Sequence, residues 1–444
     1  MKKYTIEFYN DIKNIIPTFT IEYAESILKK GVETYNCLDN LNDFESKVAM
    51  MIIKKYIALY NGYILNHTTS KLSDLDIEMI ETVPQGGNWK HIRQETRQKS
   101  KRLQKIAQTG GRTTLYGRID YNKPSYTITT CFNRPGNGTY VHPIHNRVIS
   151  VREAARFQTF QDDYYFYGNK KEILNQVGNA VPVFLAYQIG KKIKDKIGCY
   201  KSVDLFCGAG GMTTGFKKAG IISLLGNDID KSACITLKVN NPEINVLCGD
   251  ITQQAIKNKI SSIALEQGAD IICGGPPCQG FSMAGFRADN DPRNQLFRDF
   301  IDVIKKVKPK IIVFENVEGL LSYQKGKIYK EIHQLFSELG YNTNGRVMSA
   351  NEFGVSQKRK RVIIICARDD LNIMPSELFP QPITIEAKKQ ITAKDTIKDL
   401  EIIECSESAK YKSNNFILSF PISVSAGASH IYSPLFLFFI GRPL

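Results

Sequence analysis

The sequence predicts an α/β protein, a doubly wound and mostly parallel sheet accompanied by a second, smaller domain. Between residues 201 and 370 short apolar runs alternate with segments of helical length, and a glycine-rich turn follows the first run; residues 1–145 have a different texture, helical at first and then rich in Gly, Thr and Arg. The runs VDLF, IISLLGND, INVLCGD, ADIICGG, KIIVFEN and RVIIICAR are rich in Ile and Val, as strands covered on both faces must be. Segments such as QLFRDFIDVIKKV and KIYKEIHQLFSELG lie between them as crossover helices. Such a sheet binds its ligands at the carboxyl ends of the strands.

Composition bounds the function. A chain of 444 residues has length for two or three domains. With 42% hydrophobic and 23% charged residues it is an ordinary globular composition, which excludes disordered, collagen-like and low-complexity classes. The net charge of +15 suits a polyanionic partner, either nucleic acid or an acidic membrane surface. No apolar run is long enough to span a bilayer, and MKKYTIEFYNDIKN is not followed by a signal-type apolar stretch, so a cytoplasmic location is expected. Ten cysteines without a CxxC pair argue against a zinc knuckle or a disulfide scaffold, and six scattered histidines suggest no metal.

In chain order, ESILKKGVETYNCL and DFESKVAMMIIKKYIALYN read as helices. From Lys90 to Arg134, eleven Lys and Arg residues, Arg118 among them, face only Glu95 and Asp120. That run reads either as a solvated face or as a phosphate-contacting surface, and the Gly and Asn residues in GGRTTLYGRIDY and FNRPGNGTY allow close approach to a backbone. VPVFLAYQIGKKIKDK places Val181, Leu185, Ile189 and Ile193 on one helical face, which should pack on the sheet that follows. The final SPLFLFFIGRPL is apolar but too short to cross a membrane.

Five strand ends carry chemistry. DLFCGAGGMTTGF, Asp204 to Phe216, turns from a strand into a helix, where glycines let backbone N–H groups approach a ligand. Asp228 in GNDID lies seventeen residues after Gly211, a spacing suited to gripping a ribose diol, and Asp250 ends the next strand. These features favour an adenosine-containing cofactor; because the glycine pattern is not GxGxxG, a mononucleoside such as S-adenosylmethionine fits better than a dinucleotide. In GGPPCQGFS two prolines fix the backbone just before Cys278, which is either a presented thiol or a buried structural one. KIIVFENVEGLL brings Glu315 and Asn316 to the same edge, as an acid and amide or as a cap. In SQKRKRVIIICAR, Arg359 and Arg361 alternate, so both point to one side, where they favour a thiolate or bond a phosphate or base carbonyl.

Together these segments resemble the DNA (cytosine-5) methyltransferases of bacterial restriction–modification systems. DLFCGAGG is similar to the cofactor loop, GNDID and CGDI to ribose and adenine contacts, GGPPCQGFS to the nucleophile loop, FENV to the cytosine-binding strand and QKRKR to the arginine motif. RVISVREAARFQTFQDDY and NQVGNAVPVFLAYQI are similar to the family's last two motifs. The resemblance implies the S-adenosylmethionine-dependent fold and transfer of a methyl group to cytosine C5 in double-stranded DNA. It implies Cys278 as the nucleophile at C6, Glu315 at N3, Asn316 at the exocyclic edge, Arg359 near the cytosine and Arg361 near the nucleophile loop. Around S-adenosylmethionine it implies Phe206, Gly208, Gly210, Asp228, Ile229, Asp250, Pro277, Leu296 and Asn179, with Phe206 and Ile229 facing adenine. A monomer with no metal, serving beside a restriction endonuclease, is the implied setting. The same motifs also serve cytosine methylation in transfer RNA.

Motif order departs from the family pattern, because the last two motifs precede the cofactor loop. This resembles a circular permutation; two partial genes joined in frame is the rival origin. The expected organisation is a recognition module over 1–145, the displaced motifs over 146–200, the cofactor-binding catalytic domain over 201–372, and a segment 373–444 that completes the recognition module.

Overall fold

The computed structural model describes residues 2–30, 42–277, 296–400 and 403. Helices α1 (Lys2–Lys13), α2 (Ile21–Lys30), α3 (Asp43–Tyr60), α4 (Asp74–Glu81), α5 (Gln94–Gln98) and α6 (Lys101–Thr109) open the chain. Short strands β1 (Gly117–Arg118), β2 (Ser125–Tyr126) and β3 (Thr139–Val141) follow, then α7 (Val151–Phe157), α8 (Lys170–Asn179) and α9 (Val183–Ile197). The alternating part runs β4 (Lys201–Leu205), α10 (Gly211–Lys218), β5 (Ile222–Asp228), α11 (Lys231–Asn240), β6 (Asn245–Cys248), α12 (Gln254–Glu266) and β7 (Ile271–Gly274). It continues with α13 (Leu296–Val307), β8 (Ile311–Val317), α14 (Lys327–Glu338), β9 (Tyr341–Ser349), β10 (Gln357–Lys358), β11 (Lys360–Arg368) and α15 (Ala393–Ile397).

Seven strands form one sheet in the order β6-β5-β4-β7-β8-β11-β9. The five from β6 to β8 are parallel, as the alternating pattern predicts, whereas β11 is antiparallel to both β8 and β9. The reversal follows from the connection: residues 350–359 between β9 and β11 hold no crossover helix, so the chain returns in the opposite sense. One layer on the sheet is built on Phe300, Phe314 and Phe336 with Ile272 and Ile364. On the other face lies α9, whose Leu185, Ile189 and Ile193 stripe is buried against Phe216 of α10 and Ile271, Val313 and Ile363 of the sheet; Val181, expected on the same helical face, precedes the N-cap Pro182 and joins this core from outside the helix. Residues 198–200 then lead straight into β4, so the displaced family motif feeds the first strand directly.

The first 145 residues do not share one core. Helices α1 to α3 enclose Phe8, Ile12, Ile52 and Tyr56 and pack on Ile235 and Val239 of α11, with Asp43 paired to Lys231 at 2.7 Å. A separate core runs from Leu72 through Trp89, Ile128 and Phe157 to Val183, and Ala393, Ile397 and Leu400 join it. Backbone N–H groups of Ala393 and Lys394 donate to the Lys123 and Tyr121 carbonyls, and Arg156 pairs with Asp399 at 2.7 Å, so residues 393–400 dock on this second core. Residues 401–444, apart from 403, lie outside the described residues.

Arg118 does not belong to the exposed basic face. It is buried, and all five of its N–H groups are used: Nε donates to Val83 O (2.6 Å), Nη1 to His142 O (2.8 Å) and His145 O (2.9 Å), Nη2 to Ile80 O (2.8 Å) and Asn146 Oδ1 (2.7 Å). Nearby, His142 Nδ1 accepts from the N–H groups of Ile144 (3.1 Å) and His145 (3.0 Å), which leaves the ring proton on Nε2, 3.5 Å from Glu153 Oε1. Burial, only partly offset by Glu153, pushes the His142 imidazole down to about 3. The unfolded imidazole, with its ordinary value near 6.5, takes up a proton through a window in which the native one stays neutral. The stabilisation is therefore complete above pH 6.5 and is lost as the pH falls toward 3. Urea unfolding at pH 7.5 and 5.0 should show a lower midpoint at pH 5.0, and His142→Gln should flatten that difference; an equally steep pH dependence in the variant would count against this assignment.

Candidate active site

The strand order reverses at β4, flanked by β5 and β7, and this opens a crevice at the carboxyl edge of the sheet. The chain leaves β4 through Phe206, held in the left-handed region at φ 57°, a conformation that costs a bulky side chain about 1–3 kcal/mol. Gly208 (φ 52°) and Gly210 (φ 83°) complete the turn into α10. Asp228 at the end of β5 holds the turn: Oδ2 accepts from Gly208 N at 2.8 Å and Oδ1 from Asp230 N at 2.9 Å. Burial raises its carboxyl above the usual range, opposed by these two bonds. Each oxygen keeps a lone pair for a further donor, such as a ribose hydroxyl.

Around this turn the other expected cofactor residues gather unevenly. Ile229 is 68% exposed, a large apolar side chain standing free beside Asp228. Phe206 and Leu296, the first residue of α13, are half-buried against one face of the sheet core. Asp250 follows β6, half-buried, with Oδ1 accepting from Thr252 N at 2.9 Å. Asn179 is exposed at the end of α8, just before the helix that packs on α10. A side chain at Gly208 would meet nothing within 4 Å, so open space faces the turn. An apolar platform, a carboxylate and an open glycine turn are a donor set that fits an adenosine-containing cofactor.

The second half of the site is built from β7, β8 and β11. Glu315 lies near the end of β8 with 8% exposure, and Arg361 Nε lies 2.8 Å from its Oε1. A Cβ at Gly275 would sit 2.5 Å from Glu315 Oε2, so only glycine lets the loop after β7 come this close to the carboxylate. Asn316 Nδ2 donates to Pro276 O at 3.2 Å and fixes the same loop. Pro277 is half-buried and is the last described residue before 278–295; Cys278 lies outside the described residues. Arg359 is 1% exposed, its Nη1 donating to Ile128 O at 3.0 Å, while Nε and Nη2 have no partner among the described residues. Burial depresses both guanidiniums, that of Arg359 further through its neighbour Arg361, yet both stay charged at neutral pH. One carboxylate against one buried and one half-buried cation leaves an excess positive charge suited to a thiolate or a carbonyl oxygen.

Some supports were not singled out from the sequence. Asp204, buried in β4, accepts from Thr213 N (3.1 Å) and Thr213 Oγ1 (2.6 Å), which pins α10 to the strand; burial pushes its carboxyl up to about 7 against those bonds. Tyr164 OH donates to Ala209 O at 2.5 Å, tying the segment before α8 to the glycine turn. The doubled glycine of GGPP is the one local signal for the close approach at Gly275. Among the described residues no group of three or more His, Cys, Asp or Glu is placed to hold a metal ion, and no helix is long and apolar enough to cross a membrane.

A model of C-5 cytosine-specific DNA methylases matches residues 20–195 and 200–431. The chain belongs to this family. Among curated family members it is similar to Type II methyltransferase M.Eco47II of Escherichia coli, 36% identical over 257 residues, covering 56% of this chain and 58% of that protein. It is likewise similar to Type II methyltransferase M.NgoPII of Neisseria gonorrhoeae, 38% identical over 215 residues, covering 48% of this chain and 61% of that protein. Either match thus spans less than two thirds of the methylase concerned. A solved Spodoptera frugiperda DNMT2 variant aligns at 25% identity with a TM-score of 0.32, over 39% of this chain and 51% of that one. The sheet order and the family match, not that likeness, carry the fold assignment.

Proposed function

We propose that the protein transfers a methyl group from S-adenosylmethionine to C5 of a cytosine rotated out of duplex DNA, at a specific sequence, as the modifying half of a cytoplasmic restriction–modification system. The observation that carries the reading is the buried Glu315, Arg361 and Arg359 cluster set against the loop that leads into Cys278. The sulfonium of the cofactor supplies an electrophilic methyl group. Asp228, Ile229, Phe206 and the turn at Gly208 and Gly210 hold that cofactor, with Asp250, Pro277, Leu296 and Asn179 around it.

Cytosine C5 is too weak a nucleophile until a group adds at C6. The Cys278 thiolate forms a bond to C6 while Glu315 holds the proton at N3, so that electron density moves to C5. Asn316 and Arg359 orient the base, and Arg361 keeps Glu315 in place. Once C5 has taken the methyl group, it loses its proton to a base, the sulfur–C6 bond breaks and Cys278 leaves as thiolate. Rotating the base out of the helix costs about a few kcal/mol, offset by contacts to the flanking backbone. The exposed basic residues between Lys90 and Arg134, on the core that residues 393–400 complete, supply such contacts.

The test is incubation with tritiated S-adenosylmethionine and duplex DNA, followed by bisulfite sequencing. Label in DNA and 5-methylcytosine at one sequence context are expected; label in transfer RNA alone, or in neither, would reject the reading. Gly275→Ala is expected to move the Glu315 carboxylate and to lower kcat by about 100-fold, the scale on which a misplacement near 1 Å acts. Cofactor affinity, measured by calorimetry, should stay within about threefold, since Glu315 lies on β8 and β7 separates it from β4, which leads into the glycine turn. Undiminished turnover would show that Glu315 needs no such fit.

A further inference from the structure

Gln357 begins the arginine motif yet is fully buried, far from any role for a surface amide. Its Oε1 accepts from Ile128 N at 2.8 Å, and its Nε2 donates to Phe157 O at 3.0 Å and Gln158 Oε1 at 3.1 Å. Gln158 is itself buried and donates to Val177 O at 2.7 Å at the end of α8. Alongside, β10 pairs in parallel with β2, Ser125 N donates to Ser356 O at 2.8 Å, and Thr127 Oγ1 donates to Lys358 O at 2.9 Å. The strip from Ser125 to Ile128 is thus sewn along its length to the arginine motif.

The same strip holds Arg359. The only hydrogen bond of its guanidinium among the described residues runs from Nη1 to the Ile128 carbonyl at 3.0 Å, on the residue whose N–H is held by Gln357. The backbone just beyond is clamped from the other side: a Cβ at Gly178 in α8 would lie 2.4 Å from Thr129 C and Thr130 N. Ile128 therefore has little freedom, and the guanidinium that it anchors has one direction left for Nε and Nη2. On the outer side of the strip Tyr126 is 53% exposed and Lys358 is exposed, at the rim between the basic core and the site.

We propose that Gln357 is a positioning residue that fixes the Ile128 peptide and through it the orientation of Arg359, so that engagement of the recognition core is transmitted to the base-facing side of the site. The inference rests on the methyl-transfer reading above. Gln357 touches neither cofactor nor reacting atoms; it acts through one peptide group on one guanidinium. Losing it frees Arg359 to swing without emptying the cofactor turn, which is held independently by Asp228 and Tyr164.

The experiment is a double-mutant cycle in the full-length chain, with single-turnover methyl transfer to DNA, S-adenosylmethionine affinity and thermal midpoint read for Gln357→Ala, Arg359→Lys and the pair. Gln357→Ala is expected to slow transfer by about tenfold with cofactor affinity held within about twofold, and to add less than about twofold once Arg359 is already lysine. Thr127→Val, which loosens the same strip from its half-buried edge, should slow transfer about threefold with the same non-additivity, and it decides the matter if Gln357→Ala fails to fold. Losses that add in full, a parallel fall in cofactor affinity, or unchanged rates would overturn the proposal. No transfer by the unsubstituted chain would instead overturn the methyl-transfer reading, and the inference with it.

Discussion

Replacing Cys278 by serine is expected to lower methyl transfer to DNA by about 10³-fold or more, with cofactor affinity within about twofold. At neutral pH a free thiol is a few per cent ionised, whereas a serine hydroxyl is not ionised at all, so the variant lacks the attacking species rather than its position. Two features of the described neighbourhood amplify the contrast. Asn316 fixes the backbone at Pro276, and Pro276 and Pro277 each fix their own φ, so the chain is held up to the residue before Cys278. The guanidiniums of buried Arg359 and half-buried Arg361 outnumber the Glu315 carboxylate, and a positive surrounding lowers a thiol's pKa. A duplex with fluorine in place of hydrogen at the target C5 supplies a second readout, because the proton whose loss releases the sulfur is absent. The unsubstituted chain should stay covalently attached to it in denaturing gels and Cys278→Ser should not. Undiminished transfer by the serine variant would end the proposed mechanism, whatever the family relationship.

Arg118→Met is expected to cost about 3–5 kcal/mol in the second core, because it keeps most of the volume and removes five N–H donors at once. Four backbone carbonyls, those of Ile80, Val83, His142 and His145, would then be left without the donors that Arg118 gives them, three of them at buried hydrogen bonds. The measurement is direct, since Trp89 is the one tryptophan of the chain and lies in this core at 5% exposure. Urea unfolding followed by tryptophan fluorescence should shift to a markedly lower midpoint. DNA binding is expected to be lost at a correspondingly lower denaturant concentration than in the unsubstituted chain. A midpoint unchanged to within about 0.5 kcal/mol would mean that those carbonyls find other donors.

How much of this was legible differs residue by residue. The stripe of Leu185, Ile189 and Ile193 was readable because helical packing repeats every three to four residues, whereas Val181, expected on the same face, enters that core from before the helix begins, since Pro182 caps it. The parallel strands from β4 to β8 were readable from apolar runs alternating with helices, and the placement of Asp228 beside the glycine turn from its spacing along the chain. Arg118 was misassigned to the basic face because a charged residue in a basic run has the same local pattern whether water or carbonyl oxygens surround it. The split of residues 1–145 into two cores was equally hidden, since apolar helices declare that they need a partner and not which one.

What the amino-acid order determined by itself was local: strand and helix periods, the glycine turn, the Pro-Pro-Cys loop and the alternating arginines, each set by the backbone preferences of a few neighbouring residues. Tertiary structure alone decided the antiparallel return of β11, the burial of Arg118 and the junction of Gln357 with Ile128. Thr127 meets Lys358 across 231 residues of chain. A contact at that distance is chosen by which buried donors and acceptors remain unmatched after local structure has formed, and no short stretch of sequence carries that information.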